Sequence, residues 1–558
     1  MNSKNKILVI GGTACGPKAA ARARRCDPEA QITIIEQSPY ISSATCGLPY
    51  YIDGIIPNQD SLTVRGPRYF KQVLNIDVLV STRALSIDRS SRKVQILDMA
   101  TNSTSALEYD KLVLATGTSP VVPDIPGVKL AGIHTLSNIT DAVAVKKYLT
   151  PEIKQATIIG AGLIGMEMAE SLASLGVGVT VVEMKDWLLP SLLDFEMAAY
   201  VEKQARQKGV KFLFGQRVTG FEGDSAGRVF RVMTAKGQVA SDIVILAIGV
   251  RPNISLAMES KLEIGEKGGI KVNQFLQTSD PAIYAGGDCV ENIHRVTGQP
   301  VLVPLGSTAN KHGRIIGTNI TGGKDPFPGV LGTSAVKIFD TNVACTGLNE
   351  SGARENSYDI LTCLVPGEEH ARYYPGAKEI LIKLIAEKNS GKVLGGQIVG
   401  PGEAVKRVDV LASSITFGAT VDDLANLDLA YAPPYNNAMD PLHNAANVIR
   451  NKQAGLAEAL TPMEVEAKIR NNKNFIFLDV RTEKEWNEQH IPAPQVLLMP
   501  LDNLRKALGK LPKNAEIVTL CRVSIRAYQA QRILKGAGFS KVKFVDGSLT
   551  AWPYELTG

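Results

Sequence analysis

Cys46 lies in the run Ser42-Ser43-Ala44-Thr45-Cys46-Gly47-Leu48-Pro49-Tyr50, with no second cysteine four or five positions away. A lone thiol cannot store an electron pair as a local disulfide. What it can form is a mixed disulfide, a sulfenate or a persulfide with something it binds. An isolated cysteine is ordinarily a small buried hydrophobe. Cys46, however, stands between two glycine-rich fingerprints, and that setting favours chemistry over packing.

The first fingerprint is the apolar run Ile7-Leu8-Val9-Ile10, then Gly11-Gly12-Thr13-Ala14-Cys15-Gly16 and an alanine-rich stretch from Ala19 to Ala23. Such glycines let the backbone approach a pyrophosphate, and the following helix offers free N–H groups and the positive end of its dipole. The run Gln31-Ile32-Thr33-Ile34-Ile35 ends in Glu36, an acid suited to a ribose hydroxyl. Gly11, Gly12, Ala14, Gly16 and Glu36 are therefore expected at a nucleotide. A second copy runs from Ala156-Thr157-Ile158-Ile159 through Gly160-Ala161-Gly162-Leu163-Ile164-Gly165 and a helix bearing Glu167 and Glu170, to the strand Val179 to Val182 and Glu183. Gly160, Gly162 and Gly165 satisfy G-x-G-x-x-G, and Glu183 would repel a 2′-phosphate, favouring NADH over NADPH. Two fingerprints predict two nucleotides.

At 558 residues with 44% hydrophobic content, the chain is long enough for three or four domains. A net charge of +6 from 61 basic and 55 acidic residues gives no nucleic-acid surface; the densest basic cluster is Arg22-Ala23-Arg24-Arg25. Seven cysteines without paired spacing point to a reducing compartment, the cytoplasm by default. Lys4, Lys6 and the short run Ile7 to Ile10 read as a first strand rather than a signal peptide. No apolar stretch approaches the ~20 residues that span a bilayer, so no stable membrane insertion is expected. Cys15 reads as packing in the phosphate loop; Cys26, Cys289, Cys345 and Cys363 have no recognisable partners, and the isolated histidines offer no zinc site.

Two further motifs name the first nucleotide. Leu112-Val113-Leu114-Ala115-Thr116-Gly117 closes the first unit, and Ile283-Tyr284-Ala285-Gly286-Gly287-Asp288 sets a carboxylate at a strand end. With the return segment Leu246 to Asn253, these motifs make residues 1 to about 450 resemble the pyridine nucleotide-disulfide oxidoreductase family. The resemblance implies FAD at the first site, with Thr116, Gly117 and Asp288 among its contacts, and NAD(H) at the second. The lone cysteine is similar to the branch containing coenzyme A disulfide reductases, NADH oxidases and NADH peroxidases. In that branch the cysteine sits beside the flavin at a helix start, where the dipole and local N–H groups lower its pKa. Cys46-Gly47-Leu48-Pro49 is expected to be such a strand-to-helix transition, although Ser43 stands where the family usually has phenylalanine.

His370-Ala371-Arg372-Tyr373-Tyr374-Pro375-Gly376 and Leu429-Ala430-Tyr431-Ala432-Pro433-Pro434-Tyr435 resemble segments of coenzyme A disulfide and persulfide reductases whose tyrosines reach into the partner subunit. Tyr373 and Tyr431 are the expected proton donors to a leaving thiolate, with Tyr374 the alternative to Tyr373. A homodimer follows. Coenzyme A needs cations for its phosphates, and Lys18, Arg22, Arg65 and Lys71 are the candidates, against the plainer reading of solvated surface. Ser42 and Asn310, the latter within Pro304 to Lys311, complete the expected substrate contacts.

From about residue 451 a helical linker leads to Thr461-Pro462-Met463-Glu464, a capped helix start with proline at its first position. Phe475 to Arg481, Glu485-Trp486 and His490-Ile491-Pro492 follow, and the segment resembles a rhodanese domain. Its reactive part would be Cys521-Arg522-Val523-Ser524-Ile525-Arg526, a loop between strand and helix whose N–H groups form an anion nest around one sulfur. Arg522 and Arg526 add positive charge; Ser524 stands where the family often has glycine. A binding module without catalysis is the alternative.

The expected architecture is α/β: two Rossmann-like FAD/NAD(P)-binding domains, an α+β dimerisation domain and a C-terminal rhodanese-like α/β domain. The boundaries are 1–118 and 249–325 for the split FAD domain, 119–248 for NAD, 326–450 for dimerisation, 451–460 for the linker and 461–558 for the rhodanese unit. The expected activity is an FAD- and NADH-dependent reductase of coenzyme A persulfide, polysulfide or coenzyme A disulfide, with Cys521 delivering sulfane sulfur. The alternatives are an NADH oxidase or peroxidase working through a Cys46 sulfenate, and a sulfur-relay or sensing protein.

Overall fold

The computed structural model describes residues 5–557, and the chain divides into two compact units, Met1–Met184 with Val210–Val330 and Lys185–Gly209 with Leu331–Gly558. The first unit is built on two parallel sheets. In one, the strands Ile283–Ala285, Lys111–Leu114, Lys6–Ile10, Gln31–Ile35 and Asp77–Leu79 lie side by side in that order. Ile10 pairs with both Ile35 and Leu114, so the loops after those residues gather at one sheet edge. Val9, Ile34 and Leu112 are fully buried, as a parallel sheet covered on both faces requires.

The second sheet follows the same logic, with Lys211–Leu213, Gly178–Val182, Gln155–Ile159, Ile243–Leu246 and Ile133–His134 in order. Its segment interrupts the first sheet, which takes its last strand from Ile283–Ala285 beyond it.

The second unit holds an antiparallel sheet in the order Ser334–Ile338, Thr341–Gly347, Val393–Gly400, Glu379–Glu387 and Ile360–Glu368. A parallel sheet follows, with Ala459–Leu460, Val542–Val545, Ile517–Leu520, Ile476–Asp479 and Val496–Leu498. Among the described residues, no helix is long and apolar enough to cross a membrane.

Two boundaries differ from the expectation. Residues 185–209 lie within the span read as the NAD domain, yet they pack in the second unit. There the fully buried Lys383 ammonium holds Asp194 at 3.1 Å, Glu196 at 3.2 Å and Glu350 at 2.8 Å. Residues 451–460 are not one helical linker. The helix Pro441–Gln453 ends inside that span, and Ala459–Leu460 is already a strand of the last sheet. Thr461 does cap the helix Pro462–Arg470 through a capping box with Glu464.

Candidate active sites

Each fingerprint folds as strand, glycine turn and helix. Gly11 adopts φ +110°, and a Cβ there would lie 2.0 Å from the Ala115 carbonyl oxygen, so only glycine fits. Ala14 precedes the helix Cys15–Cys26, whose first N–H groups have no side-chain cap. Glu36 accepts hydrogen bonds from Gly12 N at 2.6 Å and Ser38 N at 2.7 Å, so this acid also fixes the glycine loop beside it. Glu183 does the same for the second loop, accepting from Ala161 N at 2.8 Å.

The glycines at the second loop separate packing from ligand space. A Cβ on Gly165 would lie 2.0 Å from Gly160 O, whereas one on Gly162 would meet nothing within 4 Å. Packing thus requires glycine at 165 but not at 162. The open space at Gly162, ahead of the uncapped helix Leu163–Ser174, suits a pyrophosphate. Both loops fit a dinucleotide. Thr116 Oγ1 donates to Asn253 O at 2.7 Å and Asn253 Nδ2 donates to Thr116 O at 2.9 Å, pinning the turn into Gly117. Burial lifts the Asp288 carboxyl to about 6.

Cys46 lies in the 3₁₀ turn Thr45–Gly47, directly ahead of the helix Leu48–Ile52. The incoming chain makes one bridge, Ser43 to Thr63, rather than a strand. Ser42, at φ 55°, donates its N–H to Gly12 O at 2.6 Å and accepts from Val64 N at 3.0 Å, which ties the cysteine run to the glycine loop. Cys46 reaches the surface, yet burial of its sulfur pushes the thiol up, with Glu167 and Asp288 adding repulsion and its own backbone opposing them. Against the helix-start expectation of a lowered thiol, the groups of the chain itself push the thiol up. A helix of five residues carries little dipole, and two carboxylates bear on the sulfur.

Glu167 is a residue that sequence reasoning passed over. It arrives on Leu163–Ser174, which locks to the cysteine's helix where Ser171 Oγ donates to Pro49 O at 3.1 Å. Burial, then Glu170, lifts its carboxyl to about 7. Its only sequence signal is an acid on a mostly apolar helix directly after a glycine loop.

In the second unit, the strand Ile517–Leu520 delivers Cys521, which is fully buried, and the helix Ile525–Gly536 starts after Ser524 at φ 72°. Ser524 thus keeps the left-handed turn that glycine would take without strain. Arg526 binds the Glu485 carboxylate with both terminal nitrogens, at 2.8 and 2.5 Å, and this bond holds Glu485 down at about 2. Buried Arg481 pairs with Asp479 and donates to the Glu485 and Gln489 carbonyls, fixing the loop that presents Glu485. Arg522 lies 3.7 Å from Glu379 and is largely exposed.

The pyridine nucleotide-disulphide oxidoreductase family model matches residues 5–308, and that family's dimerisation-domain model matches residues 333–443. The chain belongs to the pyridine nucleotide-disulphide oxidoreductase family. A rhodanese-like domain model matches residues 461–554. The NAD-dependent persulfide reductase from A. fulgidus is 44% identical with a TM-score of 0.93, over 98% of this chain and 100% of that one. Reduced Bacillus anthracis CoADR-RHD is 38% identical with a TM-score of 0.93, over 99% of this chain and 98% of that one. The Pyrococcus horikoshii NAD(P)H coenzyme A polysulfide/persulfide reductase is 36% identical over 450 residues, 80% of this chain and 99% of the relative.

Within this pyridine nucleotide-disulphide oxidoreductase, the two expected tyrosines lie on loops, Tyr373 between the strands Ile360–Glu368 and Glu379–Glu387 and Tyr431 ahead of the helix Pro441–Gln453. Tyr373 and Tyr431 are exposed, with their phenolic oxygens 3.2 Å apart. Tyr374 instead packs edge-on against His370. The two loops are held by Arg407, fully buried on the helix Val405–Thr416. Arg407 donates to Glu369 O at 2.6 Å on one loop, to Asn436 Oδ1 at 3.2 Å on the other, and to Asp440. Sequence reasoning missed Arg407, because an arginine in a helix looks like surface until its burial is known.

The expected coenzyme A cations are not equivalent. Lys18 is exposed on Cys15–Cys26, and Arg22, on the same helix, donates to Thr318 Oγ1 at 3.0 Å. Arg65 is exposed just beyond the Ser42–Val64 pairing and lies over the Tyr69 ring. Lys71 is bonded to Asp77 at 2.6 Å, which offsets its charge. Asn310 Nδ2 donates to Gly306 O at 2.9 Å within its own helix.

Proposed function

We propose that this chain is an FAD- and NADH-dependent reductase of coenzyme A persulfide and related polysulfides, acting through Cys46, with Cys521 supplying sulfane sulfur from the rhodanese-like domain. The observation that carries the reading is one chain bearing two cysteines in opposite settings. Cys46 reaches solvent beside a nucleotide loop, whereas Cys521 is buried ahead of the helix Ile525–Gly536, within electrostatic reach of Arg526. Likeness over nearly the whole chain to a persulfide reductase supports pairing both modules in one reaction.

Cys46 Sγ attacks a sulfur of the bound substrate, breaking its sulfur-sulfur bond and forming a mixed disulfide or persulfide on the cysteine. The leaving sulfur departs with the bond's electron pair and takes a proton. Bound FAD and NADH would supply the two electrons that return Cys46 to the thiol. The balanced conversion consumes coenzyme A persulfide, NADH and one proton, and yields coenzyme A, hydrogen sulfide and NAD⁺. Glu36 and Glu183 hold the two glycine loops, with Glu183 favouring a free 2′-hydroxyl. Lys18, Arg22 and Arg65 are the cations for coenzyme A phosphates.

The dimerisation-domain match supports a homodimer. In it, Tyr373 and Tyr431 serve the partner subunit's Cys46, donating a proton to the departing thiolate.

The deciding experiment is anaerobic NADH oxidation by wild type and Cys46→Ser with coenzyme A persulfide, coenzyme A disulfide, polysulfide or hydrogen peroxide. Fast Cys46-dependent turnover on persulfide or polysulfide, with sulfide released, supports the reading. Turnover on peroxide alone would make the sulfenate oxidase or peroxidase the better account.

A further inference from the structure

Ser548 stands behind the buried cysteine of the rhodanese-like domain. It opens the 3₁₀ turn Ser548–Ala551, is fully buried, and adopts φ 49°. That left-handed conformation suits glycine better than serine. The backbone thus gives no reason for a hydroxymethyl group at this position.

The hydroxyl has three neighbours. Its oxygen accepts from Cys521 N at 3.3 Å, its proton goes to Val545 O at 3.2 Å, and Cys521 Sγ lies 3.8 Å away. A serine hydroxyl carries one proton. While Cys521 is a thiol, Val545 O is the better acceptor. Once the sulfur is an anion, a charge-assisted bond to it is roughly twice as strong as a neutral one. Val545 O can release the proton because Ser524 Oγ also donates to it, at 3.2 Å. No buried carbonyl is left bare when the hydroxyl turns.

We propose that Ser548 is a catalytic residue of the sulfurtransferase module, turning its proton from Val545 O onto Cys521 Sγ whenever that sulfur becomes anionic. This rests on Cys521 being a sulfur carrier. In the step it serves, the Cys521 thiolate attacks the outer sulfur of a persulfide, RSSH. The donor's sulfur-sulfur bond breaks, a Cys521–sulfur bond forms, and RS⁻ leaves with the electron pair; the transferred sulfur keeps its proton. The hydroxyl holds the attacking anion at the start and the same atom again when sulfur is handed on.

The test uses the full chain as wild type, Ser548→Ala and Ser548→Gly. Alkylation of Cys521 by iodoacetamide is followed peptide by peptide across pH, and Cys521 persulfide formation from sodium polysulfide is read by mass. Both variants should move the midpoint of alkylation up by about one pH unit, which slows alkylation at pH 7 about tenfold. Persulfide loading should fall by a similar factor. Ser548→Gly, freed of left-handed strain, should melt no lower than wild type. A change in access alone would scale the rate at every pH and leave the midpoint in place, and an unchanged midpoint in both variants overturns the proposal. Wild type that takes no sulfur at Cys521 would refute the carrier reading, while the midpoint would still decide whether the hydroxyl bonds the anion.

Discussion

The phenolic oxygens of Tyr373 and Tyr431 stand 3.2 Å apart, although 58 positions separate the two residues in the chain. Their hydrogen bond is the first cause raising the Tyr373 pKa above the ordinary tyrosine value. An acid raised in this way keeps its proton to higher pH, so the pair stays competent as a donor across the neutral range. Tyr373→Phe and Tyr431→Phe should each lower kcat for coenzyme A persulfide reduction by roughly 10²-fold, the usual size of general-acid catalysis. Tyr431→Phe should also move the alkaline fall in activity to lower pH, because it removes the bond that raises Tyr373. Steady-state NADH oxidation across pH measures both, and full activity in the double phenylalanine variant would rule the pair out as proton donors.

Glu167 gives a prediction with a definite sign. Burial lifts its carboxyl from 4.5 to about 7, and its charge helps to hold the Cys46 thiol up. Glu167→Gln removes that charge, so the midpoint of Cys46 alkylation should move to lower pH. The same substitution should affect stability. A carboxyl raised on folding contributes stability below its unfolded value, and that contribution is lost as pH rises through about 7. Glutamine has no such loss, so the variant should gain roughly 1 to 3 kcal/mol at pH 8 and nothing at pH 4. Urea denaturation at the two pH values checks it.

Arg407 and Asp440 are each only 1% exposed. Arg407→Ala leaves the Asp440 carboxylate buried without its cation, which should cost about 3 to 5 kcal/mol. It also frees both tyrosine loops. Chemical denaturation reads the first effect; the second should appear as a fall in kcat larger than any change in KM for NADH.

Nucleotide preference can be read at Glu183, whose carboxylate accepts from Ala161 N. Glu183→Arg replaces repulsion of a 2′-phosphate with attraction. The ratio of kcat/KM for NADPH to that for NADH should rise at least about tenfold. A ratio that does not move would mean that the ribose is read elsewhere.

Several features that local sequence does not show share one cause. Cys46 was expected to have a lowered pKa from its place ahead of a helix, a local argument. The opposing carboxylate Glu167 lies more than a hundred residues away in sequence and reaches the site only because the helices Leu48–Ile52 and Leu163–Ser174 pack together. Lys71 pairs at the surface with Asp77, a contact that spacing in the chain does not announce. Residues 185–209 lie within the NAD span in the chain, yet they pack in the second unit, where Glu196 pairs with Lys383.

Features that depend on near neighbours were legible in the chain alone. Apolar runs marked the central strands of both nucleotide sheets, glycines at fixed offsets marked the turns, and Thr461-Pro462 with Glu464 marked a helix start. These features follow from backbone sterics and local hydrogen bonds. Folding sets which distant groups share a proton or a charge: Glu167 bearing on Cys46, Tyr373 on Tyr431, and Ser548 on Cys521. Such pairings are made by long-range packing, and their electrostatics depend on burial that no window of sequence contains.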